Sequence, residues 1–270
     1  MLLVALTRWS RSPSPELVAA EVQVLAPLLG VGAYELRLAL SGQLPVVLLE
    51  TDDPARAKAL LAGLRGRGHG AVACDGESVA SSAAMFPAKS FGFEPDALVF
   101  ECPGQPAARV AHAEVLAWVM ATHAREEDSS REVREKKLSL SRAALSGGLV
   151  RSKTTTVTQR GSALETERVL YVLSRTGRGH VLLRETRLHY TGLGPRMGKS
   201  TTESFNTLTQ VLRQQVPSAL FDDRLLKQRA ASSLQVSRTS SSRTVVTSNE
   251  SDVDVAVHLL AVAFLQGQLR

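Results

Sequence analysis

The chain has 270 residues, 44% apolar and 21% charged, with a formal net charge of +6, which excludes overall disorder and suits about two domains. Charge is uneven: residues 1–128 carry 10 Lys/Arg against 15 Asp/Glu and residues 129–270 carry 22 against 11, so an anionic partner is expected at the second half. The start lacks a basic leader and no 18-residue apolar run occurs, so neither a signal peptide nor a membrane span is expected.

In chain order, residues 2–7 read as a strand. Ser14-Pro15 caps a helix over 16–29 with Val18, Val22, Leu25 and Leu29 on one face, stopped by Gly30-Val31-Gly32. A second helix over 33–40 follows, then a strand over 46–50 and a third helix over 55–65, capped by Asp53-Pro54. A strand over 71–74 closes a small α/β domain, residues 1–78. Gly, Ser and Ala mark 79–87 as a linker. From 88 the apolar period is two, with strands at 98–101, 108–111 and 115–122. A polar stretch over 125–137 breaks the series, and strands resume at 152–159, 169–174 and 180–190. A helix over 200–215 ends this second domain, 88–230, whose basic insertion is 125–153. A flexible Ser/Thr-rich tail over 231–251 leads to an apolar helix over 252–270.

The turn Gly30-Val31-Gly32-Ala33, Pro45, the helix start Asp52-Asp53-Pro54-Ala55-Arg56-Ala57-Lys58 and Gly68-His69-Gly70-Ala71-Val72 resemble the C-terminal domain of the bacterial ribosomal stalk protein over about residues 22–75. That resemblance implies the fold alone. The stalk family recruits translation factors through a lysine-rich first helix, and the helix here carries Glu16 and Glu21 with no Lys. Strands followed by one amphipathic helix resemble the pleckstrin-homology superfold and its GRAM-like relatives over about 88–230, implying an antiparallel barrel plugged by Phe205, Leu208 and Leu212. The expected fold class is therefore α+β. Domains of the second kind bind acidic lipid headgroups, peptides or proteins.

Gly192-Leu-Gly-Pro-Arg-Met-Gly198-Lys199-Ser200-Thr201 almost spells a P-loop. A Walker loop needs four residues between its glycines, since that length wraps backbone N–H groups around a phosphate. Gly192 gives one too many, Gly194 one too few, and Pro195 removes a donor. What survives is Lys199, Ser200 and Thr201 at a helix N-terminus, an expected anion site. Arg131, Arg134, Lys136 and Lys137, with Arg142, Arg151 and Lys153 beyond, form the strongest basic run, and a solvated loop is the alternative reading. Aromatics are 4% of the chain and none interleave with these charges, against a single-strand stacking platform. Cys74 and Cys102 have no CxxC spacing, the histidines form no HExxH, and His112-Ala113-Glu114 lacks a Pro-Cys-x-x-Cys partner, so no metal site and no cofactor are expected. Val257, Leu260 and Phe264 recur at helical spacing in the last segment, an apolar stripe that must be covered by this chain or another.

The expected function is a non-enzymatic adaptor, cytoplasmic or peripheral at the membrane, that binds a partner protein or an acidic lipid headgroup and self-associates through 252–270 if that helix docks in trans. The competing readings are a nucleotide-binding enzyme using 192–201 and a nucleic-acid-binding protein using 131–153.

Overall fold

The computed structural model describes residues 1–138, 152–227, 233–238 and 242–269, of which 128–138, 152–161, 233–238 and 242–245 are described by backbone only. The fold is mixed α+β. Two compact units divide the chain: residues 1–123, 167–230 and 250–270 form the first, and 124–166 with 231–249 the second.

The first unit opens with strand β1 (Leu2–Arg8), the centre of an antiparallel sheet β2-β1-β3, where β2 is Val46–Thr51 and β3 is Gly70–Asp75. Helix α1 (Pro15–Leu29) starts where the Ser14 side chain accepts the Leu17 N–H, and it stops at Gly30 in the left-handed region, φ 72°. Helix α2 spans Ala33–Leu40. Helix α3 (Pro54–Gly66) is capped by Asp53, which accepts from Ala55 and Arg56 N–H. Strand alternation sends Val4 and Leu6 to one face of β1, where they meet Leu25, Leu40 and Leu64 from the three helices. Ala5, between them, and Val72 of β3 face the other way.

That second face is covered by the last helix, α5 (Glu250–Leu265); the helix before it, α4, is Thr201–Gln215. Leu259 and Ala263 of α5 pack on Ala5 and Val72. Val253, Ala256, Val257 and Leu260 pack against Leu116, Val119, Tyr171 and Leu182 of a larger sheet. One helix thus lies between two sheets and is apolar on both sides, which explains why its stripe is wider than a surface helix needs.

In this unit the larger sheet contains β4 (Phe86–Ala88), β10 (Val181–Arg184), the end of β9 (Ser152–Ser174) and the start of β8 (Val115–Leu138). Strand β11 (Leu220–Leu225) pairs parallel with β8. The face away from α5 packs Trp118, Leu170 and Val181 against Phe205 and Leu208 of α4, and against Phe91, Leu98 and Phe100. Those phenylalanines and Leu98 belong to a separate antiparallel sheet of β5 (Ser90–Phe93), β6 (Ala97–Glu101) and β7 (Ala108–Ala111). In the second unit β12 (Ser233–Arg238) pairs antiparallel with β13 (Ser242–Ser248), which pairs with β8 over Arg125 to Arg131.

Four expectations are corrected. No barrel closes, because residues 90–111 pair among themselves in their own sheet, and α4 covers an open sheet face instead of plugging an end. The segment 79–87 is no free linker: β4 pairs with β10, and Ser82 and Met85 are buried. The polar stretch after 124 continues strand β8, since pairing with β13 overrides the helical propensity of its Glu, Arg and Lys residues. The stretch expected as a tail carries β12 and β13.

Candidate functional site

Strand β10 ends at Arg184, and two 3₁₀ turns, Glu185–Arg187 and Tyr190–Arg196, separate it from the Gly198-Lys199-Ser200 loop. Ser200 Oγ accepts the Glu203 N–H at 3.1 Å and Glu203 Oε2 accepts the Lys199 N–H at 2.7 Å. This is a variant of the capping box, spelled Ser-Thr-Thr-Glu in the sequence, in which the glutamate reaches the N–H one residue before the cap. Gly198 is required by close approach, as a Cβ there would sit 2.5 Å from the Glu203 Cβ. Lys199, Ser200 and Thr201 do meet at the start of α4. However, the backbone donors of Lys199 and Glu203 are engaged within the chain, and a carboxylate lies where an anion would dock. Behind them, Arg168 pairs with both oxygens of Glu185 at 2.7 and 2.9 Å, and Thr202 Oγ1 donates to Glu185 at 2.8 Å. The Arg168 guanidinium holds the Glu185 carboxyl below its usual value.

Arg131, Arg134, Lys136 and Lys137 all lie on β8 of the second unit. Lys153 lies on β9; Arg142 and Arg151 lie outside the described residues. Of the apolar stripe, Val257 and Leu260 are buried in the first unit and Phe264 packs partly buried beside them.

Sequence reasoning missed a buried polar chain at the start of α5. Asp254 Oδ2 accepts from the Ser82 N–H at 2.8 Å and the Ser82 hydroxyl at 3.0 Å, while Oδ1 accepts from the Tyr171 hydroxyl at 2.7 Å. Tyr171 has one proton and gives it to Asp254, so the 2.7 Å contact with His123 Nε2 makes that nitrogen the donor. His123 Nδ1 lies 3.3 Å from Arg184 Nη1 and 3.4 Å from Glu250 Oε1. Arg184 bridges onward to Glu167 and Glu250, each at 3.3 Å. His123 and Arg184 hold the Glu250 carboxyl down to about 2, the His123 hydrogen bond contributing most. Burial and the neighbouring Asp254 carboxylate push the Tyr171 hydroxyl well above its usual value. Asp252-x-Asp254 reads in the sequence as a cation pair or a capping segment; nothing local reveals that the partners of Asp254 are Ser82 and Tyr171.

Beside Asp254 lies a cavity of about 120 Å³, walled by Met85, Leu116, Leu173, Val257 and Ala261 and bordered by His180 and His258. His180 Nδ1 accepts the Ser174 N–H at 3.0 Å, which leaves Nε2 to carry the hydrogen when the ring is neutral. Ser78 Oγ donates to the Asp75 carbonyl, so its 3.3 Å contact with His258 Nε2 makes His258 the donor there and leaves Nδ1 an acceptor. Burial lowers both imidazole pKa values, and the charge of His258 lowers that of His180 further.

Among the described residues, no group of three or more His, Cys, Asp or Glu is placed to hold a metal ion, and no helix is long and apolar enough to cross a membrane. A comparison of the chain with protein-family models finds no match, and comparisons with curated proteins and with solved structures find none either.

Proposed function

We propose that the protein is a non-enzymatic adaptor whose second unit takes an acidic partner protein. One observation carries this reading: residues 124–166 and 231–249 hold 11 Lys/Arg against 6 Asp/Glu, so nearly all of the chain's net +6 belongs to that one compact unit. Concentrated charge of one sign raises the rate and selectivity of encounter with the opposite sign. The nucleotide alternative loses support at α4, where Glu203 and Ser200 engage the N–H groups that a phosphate would need.

The test is anisotropy of a labelled polyglutamate peptide titrated with the full chain, at about 0.05 and 0.3 M salt. Binding is expected at low salt and should fall steeply as salt rises. Charge reversal of Arg131, Arg134, Lys136 and Lys137 together should weaken it about fourfold or more, since ion pairs with a partner contribute about 0.2–1 kcal/mol each. Absence of binding at low salt would overturn the proposal. So would tighter binding, under the same conditions, to duplex DNA or to phosphatidylserine vesicles.

A further inference from the structure

The cavity beside α5 belongs to the first unit and plays no part in the proposed binding of an acidic protein. Its walls are aliphatic, and its polar border has a defined hydrogen-bond sense: His180 Nε2 is a donor and His258 Nδ1 an acceptor, because Ser174 and Ser78 take the other nitrogens. With their pKa values lowered by burial, both rings are neutral at pH 7. The Asp254 carboxylate and the exposed Arg175 side chain also line the space, so the border carries no surplus charge of either sign to select an ion. The two Asp254 oxygens already accept three hydrogen bonds from Ser82 and Tyr171, which leaves that carboxylate poorly placed to pair with a cation. Half-buried polar groups with a donor and an acceptor beside an apolar void select a ligand that is mostly apolar and carries one group able to do both. A cavity of about 150 Å³ holds benzene, so 120 Å³ sets the size at a single small ring or a short branched chain.

We propose that this cavity is a binding site for a small neutral molecule with an apolar body and one hydroxyl, of the class of phenols and short alcohols, its body against Met85, Leu116 and Ala261 and its hydroxyl between His180 and His258. The hydroxyl oxygen accepts from His180 and the hydroxyl proton goes to His258. No covalent step is involved.

Phenol is the probe, titrated into the full chain carrying ¹³C-methyl methionine, with the Met85 methyl resonance as the reading. A saturable shift is expected. Ala261→Phe, which fills the cavity, should abolish it, and Ala80→Leu, which enters from outside α5, should weaken binding about tenfold. His180→Ala removes the donor from a half-buried position and should weaken phenol by about two- to tenfold, the range of one neutral hydrogen bond, while leaving benzene unaffected. No saturable shift at Met85 would overturn the site. Equal phenol affinity in the wild type, Ala261→Phe and Ala80→Leu would do the same. An equal loss of phenol and benzene in His180→Ala would overturn the assigned hydrogen-bond role.

Discussion

Tyr171 is fully buried and stands between Asp254 and His123, giving its proton to the first and accepting from the second. Replacing it with Phe keeps the ring but leaves Asp254 Oδ1 and His123 Nε2 without this partner. The expected loss is about 2–4 kcal/mol, as each unsatisfied buried group costs about 1–3 kcal/mol; urea unfolding of Tyr171→Phe measures it. Glu250 governs acid behaviour. Its folded pKa of about 2 lies below the ordinary 4.5, so its contribution is fully present above pH 4.5 and is lost as pH falls toward 2. The side chain is 42% exposed, so screening reduces that contribution to about 1 kcal/mol. Glu250→Gln should flatten the stability profile in that window, and an unchanged acid limb would remove Glu250 from the account. None of this was legible in the sequence, for Tyr171 lies 83 residues from Asp254 and 48 from His123. Local spacing offers Asp252-x-Asp254 as a cation pair or a cap, and neither reading reaches Tyr171.

At the level of elements, the start of α4 separates capping from charge. Ser200→Ala should cost about 1 kcal/mol, the usual value of a lost N-cap, whereas Lys199→Ala should cost well under that, since its side chain is exposed. Calorimetry with magnesium and ATP should show no binding by either protein; micromolar affinity abolished by Lys199→Ala would restore the nucleotide reading. In α5, Leu260 is fully buried, so Leu260→Ala should cost about 2–5 kcal/mol in thermal unfolding. Helices were the legible part. Ser14-Pro15, Asp53-Pro54 and Gly30 announce their own ends, and the spacing of Phe205, Leu208 and Leu212 announces the buried face of α4. Strands were legible where a turn or an apolar alternation bounded them, as at Ala108–Ala111. They were not where partners decide: residues 125–131 carry Arg, Glu, Asp and Ser, and become strand because 242–248 lies opposite. The barrel expectation failed for the same reason, since strand order depends on which edges pair and alternation carries no record of that.

Over the whole molecule, the apolar stripe of the last helix could have been covered by a partner or by the chain itself. Its two faces instead meet two sheets of the first unit, Ala5 and Val72 on one side, Leu116 and Tyr171 on the other. The terminal helix is therefore internal structure, and the proposed partner site is the second unit with its surplus positive charge. Hydrogen exchange of the full chain, alone and with polyglutamate, tests this directly, because protection reports whether a segment opens locally or only with the whole fold. The account predicts that amides 253–263 exchange as slowly as those of 116–121 and 169–173 without any partner, and that polyglutamate leaves them unchanged. Rapid exchange of 253–263 in the free protein, slowed only when a partner is added, would contradict it.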